Sequence, residues 1–337
     1  MLRLSVQSSV GALKAIAEPT RLRLLVLLAS GELSVKDLTG ILGQSQPRIS
    51  RHLKLLAEAG LVERAPEGSW VYFRVADGGE GGALARLLIQ AVDHDDPVLV
   101  RDRRRLEALR EQRERAAQIY FHKHAAEWDR IRALHVAEAD VEAAIGEALG
   151  PGPFDLFLDL GTGTGRMLEL FRGRYTRGLG IDLSPAMLAY ARAKLERTGI
   201  AHSQVRQGDI YDLPLRDQSA SALVMHQVLH FLSDPQRAVR EAARVLAPGG
   251  RLLIVDFAPH EIEFLREQFA HERLGFARDQ VAGWLAECGL ELIDTRDLVP
   301  GEGGAAKLTV SMWLAGRPSS APDATRSADE RKMEQVG

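Results

Sequence analysis

The stretch Leu158-Asp159-Leu160-Gly161-Thr162-Gly163-Thr164-Gly165 joins the end of an apolar run to a loop with glycine at every second position. Residues 155–160 predict a strand, and a helix is expected from Arg166. Glycine lets the backbone turn sharply and approach a ligand at the carboxyl end of the first strand of an α/β sheet. The spacing differs from the Gly-x-Gly-x-x-Gly pattern of dinucleotide-binding proteins, which argues against NAD.

Acidic residues follow the next two predicted strands. Residues 178–182 end at Asp182, whose carboxylate can accept hydrogen bonds from both hydroxyls of an unmodified ribose. Residues 203–207 precede Asp209, which can accept from an adenine amine, and Ile210, which can cover the ring with Met187. Each residue also has a structural interpretation, as a helix cap, a turn residue or core. Since ligands bind at the carboxyl ends of such strands, their joint occurrence predicts an adenosyl site.

The chain from 119 to 316 resembles class I methyltransferases that use S-adenosylmethionine (SAM). The matching stretches are 158–165, 180–188, 208–214 and 241–252. The resemblance implies an α/β, Rossmann-like fold with a seven-stranded sheet, whose last strands, 290–299 and 307–314, form an antiparallel hairpin. It implies SAM as cofactor, or S-adenosylhomocysteine (SAH) as bound ligand. The implied cofactor-binding residues are Asp159, Gly161, Thr162, Gly163, Gly165, Asp182, Leu183, Met187, Gly208, Asp209, Ile210 and His226.

The methyl acceptor is expected near the end of the fourth strand, residues 222–227. The polar groups expected there are His226, His230, Asp256 and His260. His226 or His260 could be a catalytic base, or the histidines could only shape the pocket. The segment with Tyr120, Phe121 and Trp128 is similar to one that closes over SAM as a lid, and a core-aromatic role is equally open.

Several acceptor classes and a metal site are excluded by residue type. The Asn/Asp-Pro-Pro-aromatic run of exocyclic-amine DNA methyltransferases is absent after the fourth strand. The single cysteine, Cys288, argues against cytosine C5 and arsenite methyltransferases, which need one or more cysteines in the site. No set of metal ligands with suitable spacing is present, so no metal is expected.

The N-terminal part has a different character and the opposite charge. Residues 1–76 contain ten Lys/Arg and six Asp/Glu, although the whole chain has a net charge of −3. Helical apolar spacing covers 4–16, 22–28 and 35–42, and a fourth helix with buried positions at Ile49, Leu53 and Leu56 begins near Ser45. Two strands, 61–64 and 70–75, flank a turn. This order predicts a mainly α winged helix-turn-helix, whose recognition helix enters the DNA major groove.

This part resembles the ArsR/SmtB family of bacterial repressors in residues 18–25, 33–38 and 50–62. The resemblance implies a homodimer on double-stranded, palindromic operator DNA. Arsenic-sensing members have a cysteine pair where this chain has Ser34 and Lys36, so that sensor is absent. The residues expected to contact DNA are Gln44, Ser45, Gln46, Arg48, Ser50, Arg51, His52, Lys54 and Gly68.

The predicted domains are a winged helix-turn-helix (1–77), dimerisation and linker helices (78–118), a methyltransferase-like domain (119–316) and a disordered tail (317–337). The mixed charges of 98–115 predict a solvated helix stabilised by i,i+4 pairs, with a basic DNA-binding arm as the alternative.

The 337 residues, 45% hydrophobic and 26% charged, suit a two-domain globular protein. One cysteine fits a reducing compartment. The absence of an apolar run long enough to span a membrane, or of a secretion signal at the N-terminus, predicts a cytoplasmic protein without a membrane partner.

Two functions are compatible with these observations. The first is a transcriptional regulator whose methyltransferase-like domain senses SAM or SAH. The second is an active methyltransferase (EC 2.1.1) of a small-molecule acceptor that regulates its own operon through the helix-turn-helix. Intact glycines and acids argue against a merely structural role for the second domain.

Overall fold

The computed structural model describes residues 5–67, 70–76, 78–128, 138–300 and 308–319. The chain divides into two compact units. The N-terminal unit contains Met1–Trp128, Gln227–Ala238 and Asp256–Ala277, and the C-terminal unit contains Asp129–His226, Val239–Val255 and Arg278–Gly337. Two segments from the second half of the chain therefore belong to the same unit as the helices of the N-terminus.

The N-terminal unit is built on a winged helix-turn-helix, which confirms the prediction. Its helices are α1 (Val6–Ile16), α2 (Pro19–Leu28), α3 (Val35–Leu42), α4 (Gln46–Glu58), α5 (Gly79–Ala91) and α6 (Pro97–His124). Its strands β1 (Leu33–Ser34), β2 (Val62–Glu67) and β3 (Trp70–Val75) form an antiparallel sheet in the order β1-β3-β2. The antiparallel pair β2–β3 forms the wing.

Local sequence accounts for the helix-turn-helix. Ser34 and Asp37 form a reciprocal capping box that starts α3. Ser45 occupies the N-cap position of α4, as expected, but its side chain makes no capping hydrogen bond. The predicted stripe of Ile49, Leu53 and Leu56 is fully buried in the core between α2, α3 and α4.

Helix α6 is not the simple solvated helix that its mixed charges predict. Leu106 and the carboxylate of Asp102 are buried, and Asp102 accepts two hydrogen bonds from Arg23 of α2, at 2.6 and 2.7 Å. One i,i+4 pair on its surface, Arg115 with Glu111 at 3.3 Å, does match the prediction. Charged residues on the face of α6 that packs on the helix-turn-helix pair with residues distant in the sequence. The local spacing of charges cannot predict such long-range pairs.

The C-terminal unit contains a seven-stranded, mostly parallel sheet, as predicted. Its strands are β4 (Phe154–Leu160), β5 (Tyr175–Asp182), β6 (Ser203–Gln207), β7 (Ala220–His226), β8 (Leu246–Phe257), β9 (Glu291–Leu298) and β10 (Val310–Gly316). Their order is β6-β5-β4-β7-β8-β10-β9, and β9 with β10 is the expected antiparallel hairpin. This is the α/β fold class expected from the sequence.

Helices connect the strands as in other doubly wound sheets. Helix α7 (Glu138–Leu149) precedes β4, whereas α8 (Arg166–Leu170), α9 (Pro185–Arg197), α10 (Pro235–Val245) and α12 (Arg278–Glu287) come after β4, β5, β7 and β8, respectively. The short α11 (Phe264–Gln268) lies in the N-terminal unit. The central strands are buried on both faces, as Phe157, Leu158, Leu223 and Val224 illustrate. Among the described residues, no helix is both long and apolar enough to cross a membrane.

Candidate cofactor site and DNA interface

Strand register brings the predicted cofactor residues to one edge of the sheet. Leu160 of β4 lies beside Ile181 of β5 and Met225 of β7. Asp182, one position later, pairs with Gln207 at the end of β6. Because these strands are parallel, the glycine loop, Asp182 and residues 208–210 all follow carboxyl ends at the same edge, where α/β sheets bind ligands.

The glycine loop has a backbone that other residues rarely adopt. Gly161, Gly163 and Gly165 have φ values of 71°, 53° and 81°, so all three lie in the left-handed region. The amide of Gly163 donates to Oδ2 of Asp182 at 2.8 Å. The loop is therefore held against the end of β5 by a residue of the site itself.

Asp182 is the polar centre of this edge. Its second oxygen, Oδ1, accepts from the amide of Ser184 at 2.8 Å. Burial raises the pKa of Asp182, and the amide hydrogen bonds from Ser184 and Gly163 oppose that rise. Each carboxylate oxygen has two lone pairs, so both oxygens can still accept from a ligand hydroxyl.

Asp159 stabilises the glycine loop through a hydrogen bond. It is buried and accepts a hydrogen bond from the hydroxyl of Thr162 at 2.6 Å. The neighbouring position on β5 is Gly180, where an added Cβ would lie 2.6 Å from Oγ1 of Thr162. The loop can pack here only because residue 180 has no side chain.

The remaining predicted cofactor residues divide into polar and apolar groups. Asp209 is exposed, and its Oδ1 accepts from the amide of Tyr211 at 2.8 Å, while Ile210 and Met187 are buried. Gly208 donates to the carbonyl of Asp182 at 3.1 Å, and Leu183 is half-buried beside it. This edge of the sheet therefore combines a carboxylate acceptor, amide donors of the loop and apolar side chains, a combination that fits an adenosyl group.

No group of three or more His, Cys, Asp or Glu in the described residues could hold a metal ion.

The two histidines expected as catalytic bases fall in different units. His226 is buried at the end of β7 in the C-terminal unit, beside Val255 of β8. His260 lies in the N-terminal unit, where burial lowers its pKa to about 4. His260 is therefore a neutral imidazole at physiological pH, with little capacity to hold a proton.

The aromatic residues proposed as a lid pack within the N-terminal unit. Phe121 contacts Trp128 and Phe231, with ring centroids 5.2 and 4.8 Å apart. Tyr120 lies 6.4 Å from Phe269, and burial raises its pKa to about 12. These contacts support the core-aromatic interpretation and leave the lid role a prediction.

Most of the residues expected to contact DNA lie on the exposed face of α4 and its N-terminus, namely Ser45, Gln46, Arg48, Ser50, Arg51 and Lys54. Gln44 and His52 are half-buried instead. Gln44 donates to Thr20 at 3.3 Å, and Nδ1 of His52 lies 3.9 Å from Glu18. Gly68, the wing residue of the prediction, is outside the described residues.

His52 differs electrically from its neighbours on α4. Burial lowers its pKa, and the positive charges of Arg21, Arg48 and Arg51 lower it further, against the opposite effect of Glu18. A neutral His52 beside exposed arginines leaves the positive charge of α4 on the long side chains, which are the types that reach phosphates and base edges.

Sequence reasoning missed a group of ion pairs in the N-terminal unit. Arg273 pairs with Glu32 at 2.7 Å, and their side chains are only 4% and 6% exposed. Arg113 pairs with Asp37 at 2.6 Å and with Glu272 at 3.2 Å. The partners are up to 241 residues apart, so no motif or periodic pattern could have indicated them.

Two family models match separate parts of this chain. Residues 18–64 match the model described as "Bacterial regulatory protein, arsR family", and residues 158–254 match the model described as "Methyltransferase domain". The chain joins an arsR-type helix-turn-helix to a methyltransferase domain.

Relatives of named function resemble one part of the chain or the other. The arsenical resistance operon repressor of Escherichia coli (strain K12) is 50% identical over 64 residues, which cover 19% of this chain and 55% of the repressor. A demethylmenaquinone methyltransferase of Thermus thermophilus is 34% identical over 146 residues, 41% of this chain and 64% of that enzyme. The chain thus spans less than two thirds of the length of either relative.

A solved structure, the YcgJ protein of Bacillus subtilis, is similar to this chain with 18% identity and a TM-score of 0.45. The match covers 54% of this chain and 100% of YcgJ.

Proposed function

We propose that this protein is a DNA-binding transcriptional regulator that responds to SAM or SAH bound by its methyltransferase domain. One observation carries the proposal. Gln227–Ala238 and Asp256–Ala277 directly follow β7 and the main part of β8 in the chain, yet they belong to the compact unit of the helix-turn-helix. The DNA-binding part is therefore built together with segments that begin where two strands of the methyltransferase sheet end.

Side-chain contacts inside that unit connect segment 256–277 to the wing. The wing residue Tyr72 is buried, and its hydroxyl donates to the carbonyl of Glu272 at 3.1 Å. The guanidinium of Arg273 lies 4.1 Å from the centroid of the Tyr72 ring, and Arg266 lies 4.8 Å from that of Trp70. Segment 256–277 thus contacts two of the aromatic residues of β3, Trp70 and Tyr72, so a displacement of this segment would change the packing of the wing.

A second contact joins segment 227–238 to the helices. Arg110 of α6 pairs with Asp234 at 2.9 Å and donates to the carbonyl of Ser30. Buried and half-buried ion pairs of this kind resist rearrangement because removal of one partner leaves an uncompensated charge. Two arrangements of such contacts could differ in DNA affinity by the 1–3 kcal/mol that is typical of allosteric coupling.

The cofactor would be held by the residues of the sheet edge. Asp182 would accept the ribose hydroxyls, the amides of the glycine loop would lie against the ligand, and Ile210 with Met187 would contact the adenine. When bound, SAM supplies a methyl group on a sulfonium, and SAH lacks both that methyl and the positive charge. This difference in charge is what would let the site distinguish the two ligands.

The exposed side chains of α4 support binding to operator DNA, and exposed apolar residues on α1 and α5 support a homodimer. Helix α4 presents Arg48, Arg51 and Lys54 with their side chains exposed. Exposed apolar residues lie on α1 and α5, and they are Val6, Val10, Leu13 and Leu87. An apolar surface on these helices supports a dimer in which two copies of α4 meet successive major grooves.

The test is a titration of DNA affinity. Affinity for DNA from the protein's own promoter would be measured at fixed salt with SAM and, separately, with SAH. A change of fivefold or more with either ligand is expected. If both ligands bind tightly and DNA affinity does not change, the regulatory role of the cofactor is wrong.

An active methyltransferase of a small-molecule acceptor is the second candidate. It is favoured by the buried pair of His230 and Asp256, because a histidine oriented by a carboxylate is a common general base. Formation of SAH from SAM on addition of a small-molecule extract, lost in Asp256→Asn, would support it. If SAM binds but no extract leads to SAH formation, the methyltransferase hypothesis is wrong and only the regulatory function remains.

A further inference from the structure

The first turns of α6 carry an exposed basic face. Arg101, Arg104 and Arg105 are three and four positions apart, so they lie on the same side of the helix. All three are exposed, and Arg101 and Arg104 form no ion pair or side-chain hydrogen bond within the described residues. The acid among these positions, Asp102, is buried and paired with Arg23. The exposed charge here is therefore positive, and Arg101, Arg104 and Arg105 together are the α6 arginine face.

The α6 arginine face lies beside the turn of the helix-turn-helix. Nη1 of Arg105 donates to the carbonyl of Ile41, at the end of α3, at 2.8 Å. A Cβ atom added to Gly43, within the turn, would lie 3.8 Å from the same nitrogen. Further along α6, Arg113 reaches Asp37 near the start of α3. Helix α6 therefore runs antiparallel to α3, and its N-terminal turns lie at the end where the chain enters α4.

The basic surface of α4 continues into the α6 arginine face. Ser45 and Gln46, at the start of α4, are exposed and follow the turn beside Arg105. An arginine has five N–H groups, so Arg105 can donate to Ile41 and still bind a phosphate oxygen. When a recognition helix lies in the major groove, a neighbouring helix of the same motif crosses the DNA backbone. The position of α6 beside the turn suits such a backbone contact.

The acidic residues that precede α6 are held on its other side. Segment 93–96 contains three aspartates, and the carbonyl of His94 within it accepts from Arg103 at 2.9 Å. Arg103 is two positions from both Arg101 and Arg105, which places it about 200° around the helix from each. The acidic segment is therefore kept away from these two arginines and does not neutralise them.

We infer that the α6 arginine face binds phosphates of the DNA that flanks the base pairs contacted by α4. The inference rests on the DNA binding of the proposed function, but it does not require the response to SAM or SAH. The face lies outside residues 18–64, so the segment that matches the arsR family model does not contain it. Phosphate contacts position a protein without reading sequence. The face should therefore strengthen binding to any duplex that is long enough to reach it.

Fluorescence anisotropy with Arg101→Gln, Arg104→Gln and the double variant tests the inference. Promoter DNA and an unrelated duplex of equal length would each be titrated over a series of salt concentrations. Each single change should lower the slope of log affinity against log salt by about one, and the double variant by about two. At about 0.1 M salt the double variant should bind both duplexes roughly tenfold more weakly.

Arg103→Gln is the matched control for each single variant, because Arg103 is also an exposed arginine of α6 and the change in net charge is the same. It should keep the native affinity and salt slope. Arg101→Lys with Arg104→Lys should also keep the native slope, since lysine binds phosphate as a point charge. Circular dichroism establishes that each variant is folded.

Two failures can be told apart. If the native chain binds DNA but the double Gln variant keeps its affinity and salt slope, the inference alone is wrong. It is also wrong if Arg103→Gln has the same effect as Arg101→Gln. If the native chain binds neither duplex at any salt concentration, the DNA binding of the proposed function is wrong together with the inference.

Discussion

The glycine loop of the C-terminal unit and helix α6 of the N-terminal unit both depend on polar interactions, but over different ranges of the chain. In the loop, Thr162 reaches Asp159 and Gly163 reaches Asp182, so partners are at most 19 residues apart. On α6, Arg113 reaches Asp37 and Arg110 reaches Asp234, 76 and 124 residues away. The loop could be interpreted from its sequence, and the helix could not.

A charge pattern is informative where the partners of the charged residues are close in the sequence. Backbone amides and glycines fix the loop, so its residue types carry the geometry with them. On α6, Arg113 and Arg115 belong to the same run of mixed charge, yet Arg113 is paired inside the unit and Arg115 is exposed.

The largest effect is expected from Arg113→Met. The change leaves the carboxylate of Asp37, which is 3% exposed, without its partner at 2.6 Å. Breaking a buried ion pair by removing one partner typically costs about 3–5 kcal/mol of the free energy of unfolding. Urea unfolding of the full chain measures this loss.

Arg115→Met is the matched control, since Arg115 and Glu111 are both more than 60% exposed and such pairs contribute about 0–1 kcal/mol. A cost below about 1 kcal/mol for Arg113→Met would remove the contrast between the two arginines. The half-buried carboxyl of Glu272 also faces Arg113, and partial burial raises its pKa, so protonation of Glu272 can relieve part of the loss.

The loop is tested by Asp182→Asn. The amide side chain cannot accept at both atoms, so it loses a hydrogen bond from Gly163 or Ser184 and one acceptor for a ribose hydroxyl. Two charge-assisted hydrogen bonds together correspond to roughly a hundredfold in SAM affinity, about 2.7 kcal/mol. Calorimetric titration with SAM measures the change. Asp212→Asn, an exposed acid on the same edge, is the control, and equal losses in both variants would contradict the central role of Asp182.

The fold and the cofactor edge were accessible from the sequence because their signals are local. Each of these features can be recognised from a few neighbouring residues. They are the glycines at positive φ, the acid at the end of β5 and the apolar stripe of α4. Segments 227–238 and 256–277 of the N-terminal unit contribute Asp234, Glu272 and Arg273 to its long-range ion pairs. These pairings are a tertiary property that the order of charges along the chain does not encode.

Arg51→Ala tests the recognition helix. Arg51 is exposed on α4, and among the described residues it forms no ion pair with a carboxylate that would compete with DNA. A single arginine contact to a base edge or phosphate is worth about 1–3 kcal/mol, so operator affinity should fall roughly tenfold. Fluorescence anisotropy over a series of salt concentrations measures it, and a phosphate contact also lowers the salt slope by about one. Arg197→Ala, an exposed arginine of α9, should leave both quantities unchanged.

The smallest effect is a pH dependence from His260. Its pKa falls from an ordinary 6.5 to about 4 in the folded chain, mainly through burial. The unfolded chain therefore binds a proton between pH 6.5 and 4 that the folded chain does not, and stability falls as pH is lowered through this window. Because His260 is partly exposed, solvent screening reduces the effect to about 1 kcal/mol. His260→Gln cannot titrate, so its melting temperature should fall less than that of the native chain between pH 7 and 4.5, and parallel curves would show that His260 is protonated normally.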